Sequence, residues 1–305
     1  MRILRWAGLL LVVLLASGAG FIWWYDRAGQ RSDPEFDARV AVPCYASAAG
    51  NRHPRVLIDE AHQNFHTASG RYKPFADLLK SDGYEVSTNR KAFTAEVLEA
   101  ADVLVVANAM GPGEHEAQPA FTLEEETVVA EWVRAGGSLF LIADHSPFGS
   151  AAARLAEKFG VTMYLRYARD DRFHDGWDNE RLDFSRANGL LAQNQITIGR
   201  SANEKVSRVV TFTGQSLTGP SDAVALLRLS DGAYDWESRK IRTPAKGHSQ
   251  ALALSFGHGR VVVSGEAALF SAQIDPLGNK FGMNRAGNDD KQFLPNILHW
   301  LSRAE

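Results

Sequence analysis

Residues 103–143, VLVVANAMGPGEHEAQPAFTLEEETVVAEWVRAGGSLFLIA, decide the architecture. Val103–Ala107 is an unbroken apolar run of strand length, without the alternation of a strand that faces water on one side. Thr122 then opens a helix with Glu125 three residues on, the spacing at which the two side chains satisfy free backbone donors. Val128, Val129, Trp132 and Val133 repeat at helical spacing, and Gly136-Gly137 ends the helix as left-handed caps do. Leu139–Ala143 is a second fully apolar run. Such strands, joined through amphipathic helices, imply a parallel sheet covered on both faces.

The same alternation extends in both directions. Upstream, Val56-Leu57-Ile58 is a short strand ending in Asp59-Glu60. A helix over Tyr72–Ser81 follows, with Phe75, Leu78 and Leu79 on one face, then Gly83, a strand over Tyr84–Ser87 and a short helix over Thr94–Ala101. Downstream, a helix over Ser150–Phe159 completes a pattern that is α/β and Rossmann-like, flavodoxin-like in type. After Gly160 the character changes. Residues 166–190 are charged and aromatic; Val206–Phe212, Ala223–Leu229 and Leu252–Phe256 read as strands; and Gly257-His258-Gly259 turns the chain into Arg260–Ser264 as an antiparallel hairpin. A last amphipathic helix runs over Phe293–Leu301. The expectation is one mostly parallel sheet with helices on both faces and a β-rich second half, spanning 55–303 with an insertion around 166–250.

Ahead of it, Arg2 and Arg5 precede an uncharged run from Trp6 to Tyr25 that closes on Trp23-Trp24-Tyr25. Twenty residues at about 1.5 Å each span about 30 Å, the hydrocarbon thickness of a bilayer. Residues 1–25 therefore read as a transmembrane anchor with its amino end in the cytoplasm and the remaining chain extracytoplasmic, periplasmic in a Gram-negative cell. The alternative is a signal peptide cleaved near Ala16-Ser17-Gly18-Ala19, which would release a secreted domain. Residues 26–54 read as a stalk. Over 305 residues, 33 Lys and Arg stand against 36 Asp and Glu, so no basic excess points to nucleic acid. The single cysteine, Cys44, leaves no internal disulfide and no Cys-based zinc site.

In an open parallel sheet, ligands bind beyond the carboxyl ends of the strands. Polar residues concentrate there: Asp59, Glu60 and His62 after the first strand, Asn108 after Val103–Ala107, Asp144 and His145 after Leu139–Ala143, and Glu266 after Val261–Ser264. Three uses fit them. Carboxylates and imidazoles can hold a metal with an open water position; a histidine oriented by a carboxylate, such as His145 by Asp144 or Glu266, can act as a base, and either would make the crevice that of a hydrolase, metal-assisted in the first case; or the set can bind a hydroxyl-rich ligand without chemistry. The plain alternative is that they cap helices and tie loops together. No phosphate loop, no His-Glu-x-x-His and no calcium-loop spacing occurs, so no metal or cofactor is implied.

The stretch Val56–Phe65, Asn108 after its strand, the Glu125–Gly137 helix and Phe140–His145 together resemble the class I glutamine amidotransferase-like superfamily. More narrowly they resemble a bacterial branch related to amidotransferase-like domains of gliding-motility and intraflagellar-transport proteins. Gly265-Glu266-Ala267, Gly282-Met283-Asn284 and Asn296–Leu301 are similar to the close of such domains. The likeness covers roughly 55–162 and 250–303. It implies a nucleophilic cysteine on the turn after Leu139–Ala143, but that turn reads Ala143-Asp144-His145-Ser146-Pro147. A neutral serine without an adjacent base is a far weaker nucleophile than a thiolate, so glutaminase activity is expected to be absent. What the resemblance leaves is a scaffold with a polar crevice. Related domains have been suggested to bind carbohydrates, which suits Trp177, Tyr234 and Trp236; the partners expected are the inner membrane, a carbohydrate-like molecule or a membrane protein.

Overall fold

The computed structural model describes residues 29–45, 53–112, 118–176 and 179–304. The proposed anchor or signal segment lies outside these, and among the described residues no helix is long and apolar enough to cross a membrane.

A nine-stranded sheet organises the chain. In sequence order its strands are β1 (Arg55–Asp59), β2 (Glu85–Asn89), β3 (Val103–Ala107), β4 (Ser138–Ile142), β5 (Thr162–Met163), β6 (Leu217–Thr218), β7 (Val224–Arg228), β8 (Ser249–Phe256) and β9 (Gly259–Ser264). Their spatial order is β2-β1-β3-β4-β9-β8-β6-β5, with β7 also paired to β8. The first five are mutually parallel, and β8, β6, β5 and β7 add antiparallel partners. The parallel half therefore has the doubly wound order in which β1 lies at the point of reversal.

Six helices accompany it among the described residues: α1 (Lys73–Ser81), α2 (Ala95–Glu99), α3 (Leu123–Arg134), α4 (Phe148–Glu157), α5 (Gln195–Ile198) and α6 (Asp290–Leu301). The unalternating strands are explained by two cores. Val56, Ile58, Val103, Val105, Phe140 and Ile142 pack with Phe75, Leu78 and Ile297 of α1 and α6. Leu57, Leu104, Val106, Leu139 and Leu141 pack on the other face with Leu98, Val129, Val133 and Leu155 of α2, α3 and α4. Both sides of each strand are dry, so both must be apolar.

The ends of α3 are as the residues predict. Thr122 Oγ1 accepts from the Glu125 amide while the Glu125 carboxylate accepts from the Thr122 amide. At its close, Gly136 and Gly137 donate to the carbonyls of Val133 and Trp132, the paired bonds of a Schellman cap, with Gly136 at φ +127°. Helix α6 begins three residues earlier than the apolar period indicates, because Asp290 is wholly buried and draws the first turn inward by accepting from the Val210 amide. Residues Arg208–Val210 leave the main sheet and pair with Asp183–Ser185.

Residues 29–45, expected within a stalk, lie along the domain. Arg31–Ser32 pairs antiparallel with Ala272–Ile274, and Asp33 accepts from Asn284 and pairs with Lys280. Further on, Val40 donates to Ser81, Cys44 to Asp82, and the Tyr45 ring meets the Tyr84 ring edge-on at 5.1 Å. The tail thus starts at the carboxyl edge of the sheet and descends beside α1 and α6 to the amino edge.

Candidate functional site

The residues singled out in the sequence do reach the carboxyl edge, but they do not converge on one crevice. Strand β3 lies between β1 and β4, and the polar groups divide on either side of it.

On one side, His62 is held at both ring nitrogens. Nδ1 is 2.8 Å from Asp59 Oδ2 and Nε2 is 2.9 Å from Glu125 Oε1. The ring lies between Phe93 and Phe121, each 4.7 Å away between centroids, and Asp59 is wholly buried. Burial works against charge on the imidazole, but bonds to Asp59 and Glu125 outweigh it and raise its pKa. Burial likewise works against charge on Glu125, yet the Thr122 and Phe93 amides and His62 pull it down to about 2. Asp59–His62–Glu125 is therefore a buried chain of charges locking the loop after β1 to the start of α3. With both nitrogens occupied, His62 is not an available base. Glu60 turns away, accepting from the Ala68 amide and pairing with Arg90.

On the other side, Asn108 sits at φ +44°, a region that asparagine tolerates better than most residues. Its side chain clamps Asp144: Nδ2 donates to Asp144 Oδ2 at 2.7 Å and Oδ1 accepts from the Asp144 amide at 2.9 Å. The second Asp144 oxygen accepts from the Ala267 amide at 2.8 Å. Burial pushes the Asp144 carboxyl up to about 6 despite those donors. Glu266 is wholly buried and caps Ala268 and Leu269; burial first, and the charge of Asp144 second, raise its pKa well above the ordinary range. Asp144 and Glu266 are thus neighbours, as expected of a shared site. His145, however, bonds through Nδ1 to the Ser146 carbonyl and meets the Tyr167 ring at 4.0 Å, and among the described residues no carboxylate is hydrogen-bonded to it. The oriented base anticipated there is not formed.

The turn after β4 also lacks the strain of a nucleophile elbow. Among described non-glycine residues, positive φ occurs at Gln63, Asn108, Leu165 and Arg303 and not between Ala143 and Pro147. Cys44 lies at the opposite edge against Arg200, and burial pushes its thiol up, away from thiolate. In the second half of the chain Ser216, Asp235 and His248 meet, with wiring unlike that of a catalytic triad. Ser216 Oγ lies 2.9 Å from Asp235 Oδ2 and 3.0 Å from His248 Nδ1, and the serine is wholly buried. No three His, Cys, Asp or Glu among the described residues are placed to hold a metal ion.

What the carboxyl edge carries instead is a row of rings, one exposed and the others half-buried. Phe65, 43% exposed, packs against Phe148 at 5.4 Å and carries the Arg71 guanidinium 4.0 Å above it. Three residues before Phe148, the His145 ring meets the Tyr167 ring at a tilt; Tyr167 meets Trp236 at 6.1 Å, and Arg169, paired with Glu180, lies 3.7 Å over the Trp236 ring. The last three come from a small antiparallel sheet, Tyr167–Arg169 with Tyr234–Ser238 and Ile241–Pro244, that the insertion folds against this edge. Trp236 was legible as a candidate. Phe148, Tyr167 and the two arginines were not: the insertion's pairing sets Tyr167 and Arg169 beside Trp236, and Phe148 and Arg71 meet Phe65 only through the packing of segments distant in the chain. Tyr234 is buried, its hydroxyl donating to Asp171, and Trp177 lies outside the described residues.

Volume alone points elsewhere. Clefts of about 700 and about 570 Å³ open at the amino edge, beside Cys44, Trp132, Arg200 and Trp300, whereas the hollow next to His62 measures about 250 Å³. In open parallel sheets it is the carboxyl ends that gather ligands, and here they also carry the polar clamp and the rings.

No family model matches the chain, and no curated protein matches it in sequence. Solved structures do match in shape. The mmIFT52 N-terminal domain superposes with a TM-score of 0.59 at 15% identity, covering 81% of this chain and 97% of that one. A cytoplasmic protein from Salmonella typhimurium gives 0.50 at 12% identity, covering 81% and 98%. A glutamine amidotransferase from Thermotoga maritima is also among the matches, at 0.40 and 14% identity over 73% and 78% of the two chains, too distant in shape to carry an argument. At such identities the likeness is one of fold.

Proposed function

We propose that this chain is a binding domain of amidotransferase-like fold without glutaminase activity, whose carboxyl edge takes a small hydroxyl-rich, carbohydrate-like ligand. In the same reading, Trp6–Tyr25 anchors it in the membrane with the domain on the extracytoplasmic side. The observation that supports binding over catalysis is the division of groups at that edge. His62, Asp144 and Glu266 spend their hydrogen-bonding capacity on protein partners, while Phe65 is exposed and Phe148, Tyr167 and Trp236 are half-buried beside it on the same edge. An apolar ring face with polar groups beside it suits a sugar, which presents C–H faces and hydroxyls together.

The test is a panel of neutral and acidic saccharides titrated into residues 26–305, read by melting temperature and tryptophan fluorescence. Binding is expected to raise the melting temperature, and Trp236→Ala and Phe65→Ala to weaken it about tenfold or more, the loss of one well-packed anchor. A panel without any binder, or affinity untouched by both substitutions, would sink the reading. Turnover of glutamine by the same protein would overturn the absence of glutaminase activity.

A further inference from the structure

The tail places the ring row relative to the membrane. The chain is stitched to the domain from Arg31 onward, and at a defined point: Arg31 pairs with Ile274, Ser32 Oγ donates to the Gly70 carbonyl, and the Asp33 amide donates to the Ala272 carbonyl. Gly70 lies in the loop between β1 and α1, one residue from Arg71, whose guanidinium covers Phe65. The apolar run ends at Tyr25, so six residue steps separate it from Arg31. Fully extended, they reach about 20 Å. A domain of this size is about 45 Å across, so the tether is less than half a diameter.

Resting on the reading of Trp6–Tyr25 as an anchor, we propose that the carboxyl edge lies against the bilayer surface, so that the ring row meets the headgroup layer and its ligand is one carried there. The amino edge, where Leu301 accepts from Ser138, lies at the far end of α6 and β4 and cannot swing down on so short a leash. The face itself fits this placement. Leu277, on the loop between Ala272–Ile274 and Lys280–Gly282, is 59% exposed, and Phe65 is 43% exposed. Arg71 covers Phe65, Arg31 pairs with Ile274 ahead of the Leu277 loop, and Lys280, which pairs with Asp33, follows it; Arg31 and Arg71 are basic groups suited to lipid phosphates. Half-buried aromatics beside cationic side chains are what the interfacial layer accommodates.

The experiment uses the full chain reconstituted in phosphatidylcholine–phosphatidylglycerol vesicles, with Cys44→Ser as background. A fluorophore is placed through Leu277→Cys or, at the amino end of the sheet, Glu131→Cys on α3. Lipid-borne nitroxides are expected to quench the label at 277 strongly and to leave the label at 131 bright. Inserting about twelve Gly/Ser residues between Ala28 and Gly29, enough for about 20 Å of additional slack, should restore emission at 277. Equal quenching at both sites, or a bright label at 277 in protein that stays with the vesicles through alkaline carbonate, overturns the placement while leaving the anchor intact. A chain that carbonate strips from the vesicles overturns the anchor itself, and the placement with it.

Discussion

His62→Ala is expected to destabilise the domain by on the order of 3–5 kcal/mol, the cost of leaving buried charges without their partner. Asp59 and Glu125 would face each other across the vacated space, in a shell formed by Phe93 and Phe121. His62→Phe separates charge from volume: it fills the gap and rescues nothing if the charges dominate, whereas a packing role predicts recovery. Urea unfolding followed by tryptophan fluorescence measures both. The pH dependence has a definite sign. His62 is raised in the folded state, so its contribution is complete below its ordinary value of 6.5 and is lost as pH rises through the folded value. Glu125 is lowered, so its contribution is present above 4.5 and lost as pH falls through about 2. The gap between wild type and His62→Ala should therefore be widest between about pH 4.5 and 6.5. A flat difference across pH 3–9 would show that the imidazole acts by shape.

Asn108→Asp should be similarly costly at pH 8, again on the order of 3–5 kcal/mol, and milder at pH 5. The asparagine supplies Asp144 with a donor; an aspartate would set a second anion against it, with Glu266 already near. Asp144 titrates at about 6 in the native protein because burial raises it. A carboxyl raised in this way favours the fold below its ordinary value of 3.8 and loses that contribution as pH rises through the folded value. A neighbouring carboxylate lifts that folded value further, which is why the defect deepens with alkalinity. Asn108→Gly keeps the left-handed backbone while deleting the clamp, and should fall between wild type and Asn108→Asp at pH 8. If melting temperatures at pH 8 are equal for wild type and Asn108→Asp, the clamp is not what holds Asp144.

The two buried networks also explain why carboxylates and histidines at strand ends were a weak guide to chemistry. A capping glutamate and a histidine sixty-three residues away look like separate features in the chain. Packing α3 against the loop after β1 makes them one ion pair. Glu125 was legible as a helix cap and nothing more, because the cap depends on three-residue spacing while the pairing depends on where the helix is docked.

The sequence by itself determined the layered fold, since two-faced burial demands unalternating strands, and Thr122–Glu125 and Gly136-Gly137 dictate the ends of α3 through local hydrogen bonds. It also determined that the turn after β4 carries no cysteine. The tertiary structure alone decided which polar groups meet. Strand order put β3 between Asp59 and Asp144, the insertion laid Tyr167 and Trp236 beside His145, and a two-residue strand at Arg31 turned an expected stalk into a strap. Local signals act over a few residues. Side-chain convergence depends on contacts between distant segments, whose geometry is set only when the whole sheet has closed around its cores.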